Sequence, residues 1–206
     1  MRRKLIVFPF NGNGIEALDC LGDAYELVGF VDDTPEKRGP KGSFEVFSRD
    51  LLAKVPEALV LAVPGSPSSY RGRKAAIESL GIAAERFATV IHPRACLADP
   101  RNLGRNVLIM PGVVVSANVR VGNHVCVLPN SVLHHDAVIG DYSLVGANVT
   151  VAGGVRVGEG CYVGGGSALI AGITIGDGAL VGLGATVLRD VAPGARVVGS
   201  PARPLP

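Results

Sequence analysis

From Ile91 onward an aliphatic residue recurs at every sixth position without a break, through Leu97, Leu103 and Ile109 to Val181 and Val187. Glycine often follows it, as at Gly104, Gly122, Gly140, Gly146, Gly158, Gly164, Gly176 and Gly182. Four places after it stands a small or β-branched residue in nearly every case. An amphipathic helix would repeat about every 3.6 residues and a half-buried strand about every 2. A phase held this long excludes both, and it excludes chance. Short strands separated by turns and stacked coil upon coil satisfy it, because each coil buries its apolar residues against its neighbours. The second part of the chain is therefore a β-solenoid, with the second-place glycines expected at turns.

The first part has another rhythm. KLIVFPF reads as a strand and NGNGIEALDCL as a glycine loop opening a helix. YELVGFVDD is a second strand ending in two acids, ALVLAV a third, and SPSSYRGRKAAIESL a helix with a serine-type N-cap. Such alternation predicts a small parallel α/β domain over residues 1–88, followed by the solenoid over 89–206. Gly12-x-Gly14-x-x-Ala17 fits a dinucleotide fingerprint, and Asp32 falls about 20 residues later, where that fingerprint places its ribose acid. Gly12, Asn13, Gly14, Asp32 and Asp33 are thus candidate nucleotide contacts. A tight turn and a surface acidic pair is the plainer alternative. The domain is too short for both halves of a full Rossmann fold, which disfavours NAD.

Composition narrows the partners. A net charge of +2 over 206 residues gives no footing for nucleic acid, and no apolar run reaches membrane-span length. The start MRRKLIVFPF imitates a secretory signal, but Pro9 and Asn11 interrupt it; a first strand in a cytoplasmic protein is expected. Cys20, Cys96, Cys126 and Cys161 form no CxxC pair or compact framework, so reduced thiols are expected. Two of the 4 histidines stand together in LHHDAV, residues 133–138. A base with its carboxylate, a metal-ligand pair and two surface residues are all open readings.

The hexads resemble those of the hexapeptide-repeat acyltransferases, and GSPAR (Gly199–Arg203) is similar to the signature that closes the helix in many of them. With FNGNGIEA, GFVDD, VIHPRA and SVLHHDAVIGDYSLVG, the whole chain resembles the sialic acid O-acetyltransferase-like sugar acyltransferases. That group includes N-acetyltransferases of nucleotide-linked 4-amino sugars. The resemblance implies a Rossmann-like N-terminal domain holding a nucleotide sugar, then a left-handed parallel β-helix with three hexads per triangular coil. It also implies acetyl-CoA as co-substrate, a homotrimer, and His135 with Asp136 as the catalytic pair. Many relatives carry a Gly-x-x-Gly-His-type loop where this chain has FNGNGIEA.

With three hexads per coil, residues 18 apart stack. First and fifth places fill the core, so third places point outward. One outward column is Asp99, Ala117, His135, Gly153, Ala171, Arg189; the next is Pro93, Pro111, Pro129, Ala147, Gly165, Leu183. The third, with Arg105, Asn123, Asp141, Glu159 and Asp177, is charged and reads as a solvated face. His135 lies among small residues and is the candidate base, whereas His134, at a second place, is read as a turn residue. Gly153, one coil on, is the candidate oxyanion donor; Gly165 and Leu183 match positions that touch coenzyme A in the family, and Ala171 borders the same groove. Zinc enzymes of this fold pair histidines five residues apart, a spacing absent among His92, His124, His134 and His135, so no metal is expected. Cys161 sits at an inward fifth place and reads as core. An O-acetyltransferase and a non-catalytic scaffold are the rival functions.

Overall fold

The computed structural model describes residues 2–205. Its first part is a five-stranded sheet: β1 (Arg3–Phe8), β2 (Tyr25–Val31), β3 (Gly39–Lys41), β4 (Phe44–Phe47) and β5 (Leu59–Ala62), in the order β3-β4-β2-β1-β5. All pairs are parallel except β3–β4. Leu5, Ile6 and Val7 are fully buried, as the centre of a sheet covered on both faces demands. The three strands read from sequence are present; the β3–β4 hairpin, folded back at Gly42 with φ +65, is an addition.

Two helix expectations need correction. Gly12 and Gly14 do not form a loop ahead of a helix, because α1 (Gly12–Glu16) starts at Gly12 itself. Asn11 caps it, its side-chain oxygen accepting from the Gly14 N–H at 2.8 Å. Gly14 is there for space, since a Cβ would stand 2.7 Å from the Pro9 carbonyl oxygen. In SPSSYRGRKAAIESL the helix α2 covers only Arg73–Glu78, and no serine side chain caps it. The serines bond one another instead, Ser66 to Ser68 at 3.0 Å and to Ser69 at 2.8 Å.

From Val90 the chain winds into three sheets, parallel throughout except for the closing pair of Arg196–Val198 with Arg203–Pro204. The first holds strands such as Cys126–Val127 and Leu144–Val145, the second Val132–Leu133 and Thr150–Val151, the third Val138–Ile139 and Arg156–Val157. Partners in register lie 18 residues apart, as in Cys126↔Leu144, Val132↔Thr150 and Val138↔Arg156. This three-sided parallel coil fits a left-handed β-helix. First and fifth places, among them Leu133, Ala137, Ile139, Val145 and Cys161, form one continuous buried core.

The turn reading is overturned. Left-handed backbone occurs at the fourth place of the hexad, at Asn106, Asn118, His124, Asn130, Asp136, Tyr142 and Asn148 and at glycines such as Gly154 and Gly166. Second-place glycines answer a different need: a Cβ on Gly140 would lie 2.5 Å from the Gly158 backbone, and one on Gly146 would lie 2.4 Å from the Gly165 nitrogen. They permit close stacking of coils. His134 therefore has no left-handed turn to fill; it is an exposed second-place side chain.

Sixth-place residues of the first sheet, Leu108, Cys126 and Leu144, are apolar because the α/β unit packs on them through Leu5, Val7, Leu61, Val63 and Tyr70. Polar locks fix the two together. The Asn106 amide group donates to the Ala62 carbonyl at 2.8 Å and accepts from the Ala62 N–H at 2.7 Å. Arg73, 1% exposed, donates to the carbonyls of Pro64 and His124. Beside it His124 stacks on Tyr142 and meets Phe87 edge-on, and burial, reinforced by the Arg73 charge, lowers its pKa to about 4.

Candidate active site

His135 and Asp136 occupy the turn between the second and third sheets. Asp136 is the left-handed residue there, at φ 62, a conformation aspartate tolerates better than most side chains. The turn brings its carboxylate to the imidazole: His135 Nδ1 and Asp136 Oδ2 are 2.8 Å apart. Asn118, one coil earlier, donates from its amide to Asp136 Oδ1 at 3.1 Å. Those two hydrogen bonds, the His135 one first, hold the Asp136 pKa below its ordinary value. An ionised carboxylate accepts, so the proton between them belongs on Nδ1 and Nε2 carries a free lone pair.

Nε2 stands over Gly153, where an added Cβ would be 2.6 Å from it. The column predicted from the 18-residue repeat is thus real at this point: the imidazole lies across the next coil's glycine. At the corner between third and first sheets, N–H groups of the outward column are capped by the next coil's side chains: Arg105 by Asn123, Asn123 by Asp141, Glu159 by Asp177, at 2.8–2.9 Å. No such acceptor meets the N–H groups of Gly153, Ala171, Gly165 or Leu183 among the described residues. The charged column seals itself, while the two small-residue columns keep donors free. Ala171 and Leu183 are exposed, Leu183 by 73%.

A concavity of about 520 Å³ beside the α/β unit is lined by Asn11, Gly12, Asn13, Lys37, Ser66 and Ser69 on one side and by Leu128, Leu144, Gly146 and Tyr162 on the other. Gly12 and Asn13 line it; Gly14 supports it from behind, packed on Pro9. Asp32 and Asp33 do not line it. Asp32, 2% exposed, accepts from the Phe10 N–H at 3.0 Å, the Thr34 N–H at 2.9 Å and Lys37 Nζ at 3.0 Å. Asp33 is paired with Arg49 at 2.6 and 2.7 Å. Lys37, which also donates to the Phe10 carbonyl, is the cation that Asp32 delivers to the cavity wall.

This cavity and the His135–Asp136 pair do not meet within one chain. The cavity runs along the first sheet to Leu128 and Gly146, at the corner where the first sheet turns into the second. His135 lies at the far end of the second sheet. Asn118, Lys37 and Asn11 escaped the sequence reading. A signal for Asn118 existed, because it stands 18 residues before Asp136 in the same fourth place.

The profile of the bacterial transferase hexapeptide family (six repeats) matches residues 102–135, 122–153 and 136–170. Against the curated proteins no sequence match was found. Among solved structures, the acetyltransferase domain of PglB from Neisseria gonorrhoeae FA1090, in complex with acetyl coenzyme A, is 26% identical with a TM-score of 0.85, covering 100% of both chains. PerB from Caulobacter crescentus, in complex with CoA and GDP-perosamine, is 23% identical with a TM-score of 0.84, covering 100% of this chain and 98% of its own. WeeI from Acinetobacter baumannii AYE is 23% identical with a TM-score of 0.83, covering 100% of both chains. The last two show a shared fold.

Proposed function

We propose that this chain, a hexapeptide-repeat acetyltransferase by its matched repeats and its fold, moves the acetyl group of acetyl-CoA to the amino group of a nucleotide-linked amino sugar. The observation that carries this reading is His135: its ring is oriented by an ionised Asp136 and lies against Gly153, whose N–H is free. The sugar amine attacks the thioester carbonyl carbon and passes its proton to Nε2. Asp136, held by Asn118, fixes the tautomer and stabilises the imidazolium that forms. The Gly153 N–H donates to the oxygen on which charge develops. When the C–S bond breaks, the imidazolium returns the proton to the leaving thiolate, and His135 is again neutral.

The similarity to the PglB domain, solved with acetyl coenzyme A, supports that donor. Its arm fits between copies, along Gly153 and Ala171 of one and Gly165 and Leu183 of its neighbour, where N–H groups are free. Residues 1–88 serve as a Rossmann-like domain for the nucleotide sugar, and residues 89–206 as the acyl-transfer helix. A nucleotide sugar suits the cavity of about 520 Å³ with Gly12, Asn13 and Lys37 in its wall. Asp32 and Asp33 act there by position, Asp32 holding Lys37 and the Phe10 turn. Because the cavity and His135 sit at opposite ends of the second sheet, the centre is completed by pairing one copy's cavity with another's His135, and a homotrimer does this three times over. No helix of the described residues is long and apolar enough to cross a membrane. Four unpaired cysteines suit a cytoplasmic location.

The test is release of free CoA thiol from acetyl-CoA with a panel of nucleotide-linked amino sugars and their hydroxyl counterparts. Turnover with the amines supports the reading. Turnover with hydroxyl acceptors alone moves it to O-acetylation, and no turnover with either refutes it.

A further inference from the structure

Arg120 and Arg156 flank Val138 on the third sheet, each one strand away in register. All three are sixth-place residues on one outward face, so the two arginines leave the backbone about 10 Å apart, two strand spacings. Both are exposed, and neither has a carboxylate partner among the described residues, whereas Arg2, Arg49, Arg101 and Arg105 each do. With Asn102, Asn118, Val138 and Asp136 they line a cavity of about 470 Å³. The one acid in that wall is already committed, to His135 through one oxygen and to Asn118 through the other. What remains is a concave surface of guanidinium and amide groups. Guanidinium forks match phosphate oxygens in pairs, and such charge-assisted bonds are among the strong ones.

We propose that Arg120 and Arg156 clamp the diphosphate of the acceptor nucleotide sugar while its amine reacts at His135. This rests on the acceptor class proposed above. Both substrates of that reaction carry a diphosphate, and reach decides between them. In a nucleotide-linked amino sugar one sugar ring separates the diphosphate from the amine. In acetyl-CoA the whole pantetheine arm separates it from the thioester. The arginine cavity shares Asp136 with the catalytic pair, so with the reacting atoms at His135 only the nearer diphosphate reaches it. The clamp then lies on the copy that supplies the base, and it draws the sugar across from the copy whose cavity holds the nucleoside.

The experiment has two arms. In the first, inorganic pyrophosphate is titrated calorimetrically into the full-length protein, its Arg120→Ala/Arg156→Ala double variant, and the single Arg→Gln variants in case the double variant folds poorly. Salt-sensitive binding that is lost or weakened in the variants at unchanged unfolding midpoint supports the clamp; absent binding, or binding equal in all, overturns it. In the second, the double variant raises acceptor KM on the order of 10- to 100-fold, the loss expected for hydrogen bonds to a charged group, and leaves the acetyl-CoA KM unchanged. An unchanged acceptor KM, or a rise in acetyl-CoA KM in its place, also overturns it. The pyrophosphate arm needs no turnover, so failure of the acetyl-transfer reading and failure of the clamp are told apart.

Discussion

Gly153→Ala places one methyl group where the geometry leaves no room for it. The new Cβ would stand 2.6 Å from His135 Nε2 and 2.7 Å from Cε1, against an ordinary contact of 3.4 Å or more. The imidazole must therefore retreat by about 0.8 Å, the difference between 3.4 and 2.6. It can do so, because its side chain is 68% exposed, but only by straining the 2.8 Å bond to Asp136 or by carrying Nε2 off the reaction line. Misplacing a catalytic group by about 1 Å costs on the order of 10²-fold, which is about 2.7 kcal/mol of barrier. Stability moves the other way. Gly153 does not occupy the left-handed region, so alanine fits its backbone and gains about 0.4–1 kcal/mol by restricting the unfolded chain. The expected result is a fall in kcat with an equal or slightly higher unfolding midpoint. Thiol release at saturating substrates and calorimetry on the same preparation measure both. The substitution keeps the backbone N–H, so the loss reports on the ring. A kcat within about twofold of the unaltered protein would refute the seat assigned to His135, and a lowered midpoint would show that the ring's contact with Gly153 is structural.

Other expectations follow from the same geometry. His135→Ala lowers turnover by roughly 10²–10⁴-fold with acetyl-CoA affinity little changed, while His134→Asn is mild; near-normal turnover in folded His135→Ala protein ends the general-base assignment. Ala171→Leu weakens acetyl-CoA binding at an unchanged midpoint, since Ala171 is exposed while Leu169 and Ile173 stay in the core; unchanged affinity would move the cofactor to another face. His124 is held near pKa 4 in the fold against 6.5 ordinarily, so between those values the unfolded chain takes up a proton that the folded one refuses. Stability is full above about pH 6.5 and falls towards pH 4, by about 1–2 kcal/mol after allowance for partial exposure. Urea midpoints across that range show the slope, and His124→Asn, which suits the left-handed turn there, abolishes it; an identical slope in the variant contradicts the assignment.

The register of the solenoid was legible because core packing leaves it no freedom: a slip by one place at Leu133 or Val145 would put every apolar residue of the coil outside. With the three-hexad coil that the family resemblance implied, that register stacked His135 on Gly153; the pairing of His135 with Asp136 came from their adjacency and the resemblance. The turn position did not. Glycine serves both positive φ and close approach, so second-place glycines looked like turns, while the asparagines at 106, 118, 130 and 148 marked the true left-handed places. The strand reading of YELVGFVDD placed Asp32 just after β2, yet neither it nor the dinucleotide spacing says where a carboxylate's lone pairs go. Here Phe10, Thr34 and Lys37 take them. Lys37 reaches the cavity through its contacts with Asp32 and the Phe10 carbonyl, which no local pattern records.

The central claim, that one copy's cavity feeds another copy's His135, is tested most directly by complementation in mixed assemblies. His135→Ala removes the base. Gly12→Phe fills the cavity from a position with nothing within 4 Å of the added Cβ, so folding should survive. Each variant alone should be inactive. Co-expressed in equal amounts and purified as mixed trimers, they should recover about a third of the original activity, because any trimer that holds both variants has an intact cavity facing an intact His135 at about one junction in three. No recovery in assemblies shown to contain both variants would contradict the account and place cavity and base in the service of a single chain.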